Sequence, residues 1–283
     1  MDQIVEVRPR MKILVRRWGA LGDVILTTPI VRRLRRTHPQ AEIVVETAYP
    51  EVYRNNPHAT IATSAQCDRC IVLDRAYEWR PSMHIVEAYM LEAFGDTGEP
   101  RDRQQELFPP PNVNILKSKR CVAVHAAQAG WKNRTLPSAT WVAVCEGLKR
   151  VGLWPILVGS ERDALPEAQA TCFHVPDLLT QTSLIANCRC FVGSDTSLLH
   201  AAGATATPIV GIFTSVWPKF RLPWRDGVLG ANCRVVMPNL TCLGCQERAP
   251  VPNIVEVCER GDIACVERVT AADIVHAVVE LTS

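Results

Sequence analysis

Short apolar runs with strand character alternate with helical segments along most of this chain, and that alternation restricts the fold more than any other feature. Residues 12–16, Cys121–His125 and residues 208–213 are three such runs, and Ser138–Arg150 has the pattern of a helix between two of them. Parallel strands need a crossover to return the chain, and a helix usually supplies it. The sequence therefore predicts an α/β fold with parallel sheets, and 283 residues are enough for two such units.

The composition is that of a folded globular protein rather than a disordered one, with 47% hydrophobic and 21% charged residues. A net charge of +2 is too small to indicate nucleic-acid binding by itself. Four arginines, Arg32, Arg33, Arg35 and Arg36, crowd one predicted helix. They are interpreted as a solvated helix face, and the alternative is docking to an anionic surface or acceptor.

The first eight residues lack the apolar run of a signal peptide, and no stretch approaches the length of a membrane span. Twelve cysteines without a secretory signal indicate free thiols or a metal site rather than a disulfide framework. The sequence thus predicts a cytoplasmic protein, with peripheral contact at the inner face of the membrane as the alternative. It leaves the oligomeric state open.

The run Pro109-Pro110-Pro111 predicts a stiff linker between two halves. The expected domains are residues 1–110, residues 111–269 with a Cys-rich segment at 233–269, and a closing helix at 270–283 that begins after Thr270 as its N-cap. In open α/β folds, ligands bind beyond the carboxyl ends of the strands. A cleft between the two halves is therefore the expected ligand site.

A strand, a tight glycine turn and a helix start follow one another at residues 13–30, where Gly19-Ala20-Leu21-Gly22-Asp23 forms the turn. Glycines let the backbone approach a ligand closely. Asp23 is then either an N-cap of the helix or a catalytic base that faces the cleft. Pro29 predicts a kink in that helix or a second helix start with Thr28 as N-cap.

Three further stretches carry possible chemistry. Residues 130–137 place Lys132 and Arg134 in a loop between a strand and a helix, and Asp195-Thr196-Ser197 opens a helix after another strand. The third is the quartet Cys242-x2-Cys245-x12-Cys258-x6-Cys265. Four thiolates in a loop-rich segment suit a tetrahedral structural metal, with unliganded thiols as the alternative.

The other cysteines are assigned structural roles. Cys67 and Cys70 form a lone C-x2-C that is interpreted as structural. The rest lie in apolar elements and are expected to be buried: Cys121, Cys145, Cys172, Cys188, Cys190 and Cys233.

In this order, the four stretches resemble the ADP-heptose:lipopolysaccharide heptosyltransferases of glycosyltransferase family nine. The quartet is similar to that of the metal-finger autotransporter heptosyltransferases. The resemblance implies a GT-B fold of two Rossmann-like domains, of which the first meets the acceptor and the second binds the nucleotide-sugar donor. It also implies that the closing helix crosses back to the first domain.

The resemblance also implies roles for single residues. Asp23 would be the catalytic base, and the donor would be bound by Gly22, Lys132, Arg134, Asp195, Thr196, Ser197 and His200. Among these, Arg134 is the first choice for a phosphate contact, and His200 is expected only to line the site. Glu161 or Asp163 is the candidate to accept a hydrogen bond from a ribose hydroxyl of the donor. Cys242, Cys245, Cys258 and Cys265 would hold a structural zinc or iron, and no catalytic metal is expected.

The implied function is inverting transfer of a sugar, with heptose as first choice, from a nucleotide-diphosphate donor to an acceptor hydroxyl. ADP-heptose is the first donor to consider, and the acceptor is a glycan, a lipid-linked glycan or a protein. Two alternatives remain: an inactive nucleotide-sugar-binding or assembly protein, and a transferase that acts on a protein or nucleic-acid acceptor.

Overall fold

The computed structural model describes residues 10–62, 66–110, 120–127, 131–248, 258 and 260–283. The predicted linker residue Pro111, the proposed boundary at 110/111 and Gly130 lie outside the described residues. We refer to residues 10–110 as the N-terminal half and to residues 120–283 as the C-terminal half. The domain boundaries themselves stay a prediction.

The N-terminal half is built on a four-stranded parallel sheet in the order β3-β2-β1-β4. Its strands are β1 (Lys12–Arg17), β2 (Glu42–Thr47), β3 (Thr60–Ile61) and β4 (Arg69–Val72). Its helices are α1 (Leu21–Ile25), α2 (Thr28–Thr37) and α3 (Ile85–Phe94). The second helix start expected at Pro29 is confirmed, with Thr27 rather than Thr28 as the N-cap.

The C-terminal half contains a six-stranded parallel sheet in the order β12-β9-β8-β5-β6-β7. The strands are β5 (Cys121–His125), β6 (Trp154–Gly159), β7 (Thr171–His174), β8 (Cys190–Ser194), β9 (Ile209–Ile212) and β12 (Cys233–Val236); β10 (Trp224–Arg225) and β11 (Val228–Leu229) form a hairpin. The helices are α4 (Ser138–Arg150), α5 (Leu178–Ala186), α6 (Ser197–Gly203), α7 (Cys245–Arg248), α8 (Ala264–Glu267) and α9 (Ala271–Thr282). The predicted α/β class with parallel sheets is confirmed.

The closing helix α9 packs against the C-terminal half and not, as expected, against the first domain. Ile274, Ala277 and Val278 join one apolar core with α4 and the C-terminal sheet, and α9 lies against α4 and β12. The expected crossing to the first domain is therefore wrong for the described residues, because the apolar stripe of the helix is already buried on its own half. The Thr270 cap is confirmed, since its hydroxyl accepts the Asp273 N–H at 3.1 Å.

The two halves meet where α1 packs against α6. A Cβ atom added at Gly22 would lie 2.9 Å from His200 Cδ2, closer than real Cβ atoms come to other heavy atoms. Gly22 therefore allows the turn of the N-terminal half to approach α6 of the C-terminal half. This contact sets one edge of the cleft between the halves.

Several sequence expectations need correction at the level of side chains. Cys172 is exposed and Cys233 is half-buried, because each lies on a strand at an edge of the C-terminal sheet, whereas the other four scattered cysteines are buried.

The four arginines of α2 form ion pairs or carbonyl hydrogen bonds: Arg32 with Glu106, Arg33 with Asp96, Arg35 with the His58 and Ala41 carbonyls, and Arg36 with Asp102. Three of the four arginines are thus paired with acidic side chains, and of the four only Arg36 is exposed. Among the described residues, no helix has the length and apolar character needed to cross a membrane.

His84 joins the two halves as a neutral buried histidine. Its Nδ1 accepts the Val86 N–H at 3.2 Å, so Nε2 carries the hydrogen and donates it to the Leu222 carbonyl at 2.9 Å. Burial lowers the pKa of His84 to about 3. Because the unfolded chain binds this proton near pH 6.5, acid favours unfolding between pH 6.5 and about 3.

We therefore expect the contribution of His84 to the free energy of unfolding to fall by about 1.4 kcal/mol per pH unit below pH 6.5. Urea unfolding of the wild type and of His84→Asn at pH 7, 6 and 5 measures it, because asparagine keeps a cap acceptor and does not titrate. The stability difference between the two proteins should shift by about 2 kcal/mol toward the variant between pH 7 and pH 5. A difference that stays constant with pH would contradict the assignment.

Candidate functional site

A cleft of about 470 Å³ opens at the carboxyl ends of the strands, between the two halves. Seven of the residues predicted for the site line it: Gly22, Asp23, Arg134, Asp195, Thr196, Ser197 and His200. The structure thus brings together the glycine turn after β1, the turn after β5 and the turn after β8. Lys132 is exposed and does not belong to this lining.

Asp23 both caps its helix and faces the cleft. Its Oδ2 accepts the Ala20 N–H at 3.1 Å and an Arg17 N–H at 2.9 Å, while no described residue hydrogen-bonds its Oδ1. The side chain is 17% exposed. One carboxylate oxygen therefore fixes the orientation, and the other remains available to a molecule in the cleft.

Arg17 holds this carboxylate in place. Its side chain is 3% exposed, and one Nη2 atom donates to Asp23 and to Glu78 Oε1 at 2.8 Å. Burial alone would lower the pKa of Arg17, but Tyr89, Asp23 and Glu78 more than offset it and raise the pKa above the ordinary value. At Gly19, a Cβ atom would lie 2.5 Å from Asp23 Oδ2 and 2.6 Å from Arg17 Nε, so glycine leaves the space this pair occupies.

Asp195 is the centre of the charges on the opposite wall. Its Oδ2 lies 3.1 Å from Arg134 Nη1 and 3.8 Å from Arg221 Nε, and its Oδ1 lies 3.6 Å from His200 Nε2. Burial would raise the pKa of Asp195, but the two arginines hold it below its ordinary value. The pKa of His200 is lowered by burial, against the opposing charge of Asp195, so its ring is neutral. Two guanidinium groups therefore share one buried carboxylate at the edge of the cleft.

Arg134 is oriented from the Cys-rich segment. Gln246 Oε1 accepts from Arg134 Nε at 3.0 Å and Nη2 at 2.6 Å, and also from the Ser215 hydroxyl at 3.0 Å. The Arg134 guanidinium also stacks over the Trp131 ring, 4.6 Å from its centroid. Gln246 belongs to α7, which begins at Cys245. The position of the arginine therefore depends on the fold of the Cys-rich segment.

The structure adds cleft residues that the sequence analysis did not single out, above all His125, Arg221 and Tyr77. His125 ends β5, and Arg221 follows the turn after β9, so each comes after the carboxyl end of a strand. That position is the signal that would have found them. Asp163 lines the cleft and Glu161 does not, so of the two ribose candidates Asp163 is the one that faces it.

The four quartet cysteines border one small cavity, of about 10 Å³, together with Asn133, Thr214 and Arg260. Burial, followed by the neighbouring thiols Cys245, Cys258 and Cys242, raises the pKa of Cys265 to about 11. Within the described ranges, no three His, Cys, Asp or Glu side chains form a finished metal-binding group. The thiols thus converge on one cavity without the geometry of a completed site, and the segment between Cys245 and Cys258 lies largely outside the described residues.

Comparisons with known proteins agree with this architecture. The family model of glycosyltransferase family 9 (heptosyltransferase) matches residues 83–249. No curated protein matches the chain. Among solved structures, a glycosyl transferase family 9 from Veillonella parvula is similar with a TM-score of 0.74 at 15% identity, over 97% of this chain and 98% of that one.

Two further solved structures share the fold. The iron-containing dodecameric glycosyltransferase TibC from enterotoxigenic E. coli has a TM-score of 0.74 at 15% identity, over 97% of this chain and 76% of that one. The E. coli ADP-heptose lipopolysaccharide heptosyltransferase II has a TM-score of 0.70 at 19% identity, over 96% and 98%. The two-sheet arrangement of this chain is therefore that of the GT-B heptosyltransferase structures.

Proposed function

Because the chain belongs to glycosyltransferase family 9, the heptosyltransferases, we propose that it moves a heptose from a nucleotide-diphosphate donor to an acceptor hydroxyl with inversion. One observation carries this proposal: Asp23 and the Arg134–Asp195 pair border the same cleft from opposite halves. Inverting transfer needs a base on one side of the sugar and cations on the other, beside the leaving diphosphate.

Asp23 is the proposed base. Its Oδ1 takes the proton of the acceptor hydroxyl as the oxygen of that hydroxyl attacks the anomeric carbon. The bond from that carbon to the diphosphate oxygen breaks on the opposite face, and the electron pair leaves with the diphosphate. Arg17 keeps the carboxylate aimed, since it holds Oδ2 in the helix-capping position and leaves Oδ1 to the acceptor hydroxyl.

The C-terminal half is the proposed donor side. Arg134 and Arg221 would bind the diphosphate, and Arg134 can hold phosphate oxygens bidentately. Thr196 and Ser197 would donate from the turn that opens α6, and Gly22 and His200 would close the cleft behind the donor. Lys132 is kept only as an outer cation, because it is exposed and outside the lining.

The donor and acceptor are proposed by analogy of site. ADP-heptose is the first donor to test, because the similar heptosyltransferase II is named for it. The acceptor would approach over the predicted first domain, residues 1–110, while the predicted second domain, residues 111–269, would bind the donor. Assembly into an oligomer is proposed on the likeness to dodecameric TibC.

We also propose that Cys242, Cys245, Cys258 and Cys265 hold one zinc or iron ion. The fit rests on four thiols around one cavity, a donor set that suits either metal. With four protein ligands the metal has no open position, so its role would be to fix the fold of the segment. The metal would not contact Asp23 or the substrates, and it would act on Arg134 only through the fold of the segment.

A thermal-shift screen tests the donor class. ADP-, GDP-, UDP- and CDP-sugars are each added at about 100 times the dissociation constant, where a bound ligand stabilises the folded state by about 2.7 kcal/mol. We expect the largest rise in Tm with the ADP-sugar and none with the free sugar. If no nucleotide sugar raises the Tm, the donor-binding assignment of the cleft is wrong.

A further inference from the structure

His125 lies between a carboxylate and a hydroxyl at the carboxyl end of β5. Its Nδ1 is 2.9 Å from Thr196 Oγ1, and its Nε2 is 3.7 Å from Asp163 Oδ2. His125 is 6% exposed and Asp163 is 7% exposed. The Thr196 hydroxyl borders the cleft and immediately precedes α6. The three side chains therefore form a chain from the buried carboxylate to the cleft.

The carboxylate decides which ring nitrogen carries hydrogen. Asp163 Oδ2 accepts the Ser160 N–H at 2.8 Å and the Ser160 hydroxyl at 2.9 Å. Although burial opposes it, the contacts with His125 and Ser160 hold the pKa of Asp163 below its ordinary value. The 3.7 Å between Asp163 Oδ2 and Nε2 is longer than a hydrogen bond, but the negative charge of the carboxylate favours the ring form that carries its hydrogen on the facing nitrogen, Nε2.

The role of the Thr196 hydroxyl then depends on the charge of the ring. In the neutral ring, Nδ1 carries a lone pair and accepts a hydrogen bond from the Thr196 hydroxyl. The hydroxyl then presents only oxygen lone pairs to the cleft. In the charged ring, Nδ1–H donates to Oγ1, and the hydroxyl hydrogen is free to point into the cleft. An anion accepts hydrogen bonds and is attracted only by the second arrangement.

We propose that His125 is a positioning residue whose protonated form turns the Thr196 hydroxyl toward the diphosphate of the donor. Donor binding then takes up a proton at His125, and Asp163 balances the charge. The inference rests on the proposed function, since it takes the cleft to be the donor site.

Other charged groups face the same space. Asp23 comes from the N-terminal half, and Asp195 and His200 come from the turn and helix after β8. The cations are Arg162, from the turn that carries Asp163, Arg134, from the turn after β5, and Arg221, from the segment after β9. Of the two histidines that line the cleft, His200 is kept neutral by burial, which lowers its pKa.

The test measures the affinity for ADP-glucose between pH 5.5 and 8.5 by calorimetry, in two buffers of different ionisation enthalpy. ADP-glucose is used because its diphosphate, esterified at both ends, does not titrate in this range. We expect wild-type affinity to fall as the pH rises, by roughly 10- to 100-fold in total, with net proton uptake on binding.

Four variants separate positioning from packing. His125→Asn places an amide donor where Nδ1 stands, so affinity should stay near the acidic wild-type value at every pH. Thr196→Val should bind weakly at every pH, and Thr196→Ser should follow the wild type. His125→Leu removes the Nδ1 acceptor and leaves the Thr196 hydroxyl unheld, so its affinity should not change with pH.

Two results would overturn the inference: a His125→Asn profile that parallels the wild type, or wild-type binding by Thr196→Val. Tight binding of ADP-glucose with no pH dependence removes the inference and leaves the proposed function standing. If neither ADP-heptose nor ADP-, GDP-, UDP- or CDP-glucose binds the wild type at pH 6, the proposed function falls and the inference falls with it.

Discussion

Replacing Asp23 with asparagine is expected to lower the rate of sugar transfer by about 10²- to 10⁴-fold while donor affinity changes little. That range is the usual contribution of a positioned general base. The amide oxygen still accepts the Ala20 N–H and the Arg17 N–H, as Oδ2 of Asp23 does now. What is lost is the negative charge and the basicity of a carboxylate that lines the cleft. Transfer kinetics and donor titration on the same preparation measure both effects.

Asparagine is the sharper variant because alanine would also disturb the fold. In Asp23→Ala, the buried Arg17 loses one of its carboxylates and the Ala20 N–H loses its acceptor, a loss of about 1–3 kcal/mol in the free energy of unfolding. The rate loss of Asp23→Ala therefore mixes chemistry with stability.

Glu78→Gln is the matched control for Asp23→Asn. Glu78 accepts from the same Arg17 Nη2 atom at 2.8 Å, but it does not line the main cleft. If Arg17 and its ion pairs matter only for structure, the two variants should lose similar activity. If Asp23 is the base, Glu78→Gln should retain most of the transfer rate. Unchanged transfer in Asp23→Asn would favour the capping role alone, and donor binding without transfer in the wild type would favour the inactive binding protein.

The elements that the sequence predicted well are those whose local signals agree with their packing. Cys121–His125 and Ser138–Arg150 were predicted with the bounds the structure has, since each is a continuous apolar run or a helical pattern that ends before a glycine. The acid in the glycine turn was also found, because the strand–glycine–helix pattern of residues 13–30 marks a strand end. What the pattern left open was whether Asp23 caps the helix or lines the cleft, and the structure shows that it does both.

The features that the sequence missed depend on contacts between distant residues. The strand β12 was not predicted because its neighbours in sequence are irregular, and it is a strand only through its pairing with β9. The position of α9 follows from which half offers an apolar surface, which no local pattern encodes. Likewise, Gln246 looks like an ordinary polar residue until Arg134, 112 positions away, is found to donate to it.

Loss of the metal is expected to weaken donor binding as well as stability. Gln246 directly follows Cys245, and its side-chain oxygen Oε1 holds the Arg134 guanidinium toward Asp195. If the quartet binds a metal, freeing Cys245 releases α7 and with it the acceptor that orients Arg134. We expect Cys258→Ser to lower the Tm by about 10 °C, since structural metal sites contribute several kcal/mol to folding, and to weaken nucleotide-sugar binding about tenfold or more.

Cys258 is the position to change because it borders the cysteine cavity but is distant in sequence from Gln246. Its substitution therefore reaches Arg134 only through the fold of the segment. Cys172→Ser is the matched control: its thiol is exposed on β7, so the same exchange of sulfur for oxygen should leave metal content, Tm and donor affinity unchanged. Gln246→Ala separates the two effects, because it should weaken donor binding while the protein keeps its metal. Wild-type protein purified without chelator that carries far less than one metal per chain would rule out the metal site. A Cys258→Ser protein that loses its metal and stability yet binds donor normally would show that Arg134 does not depend on the quartet.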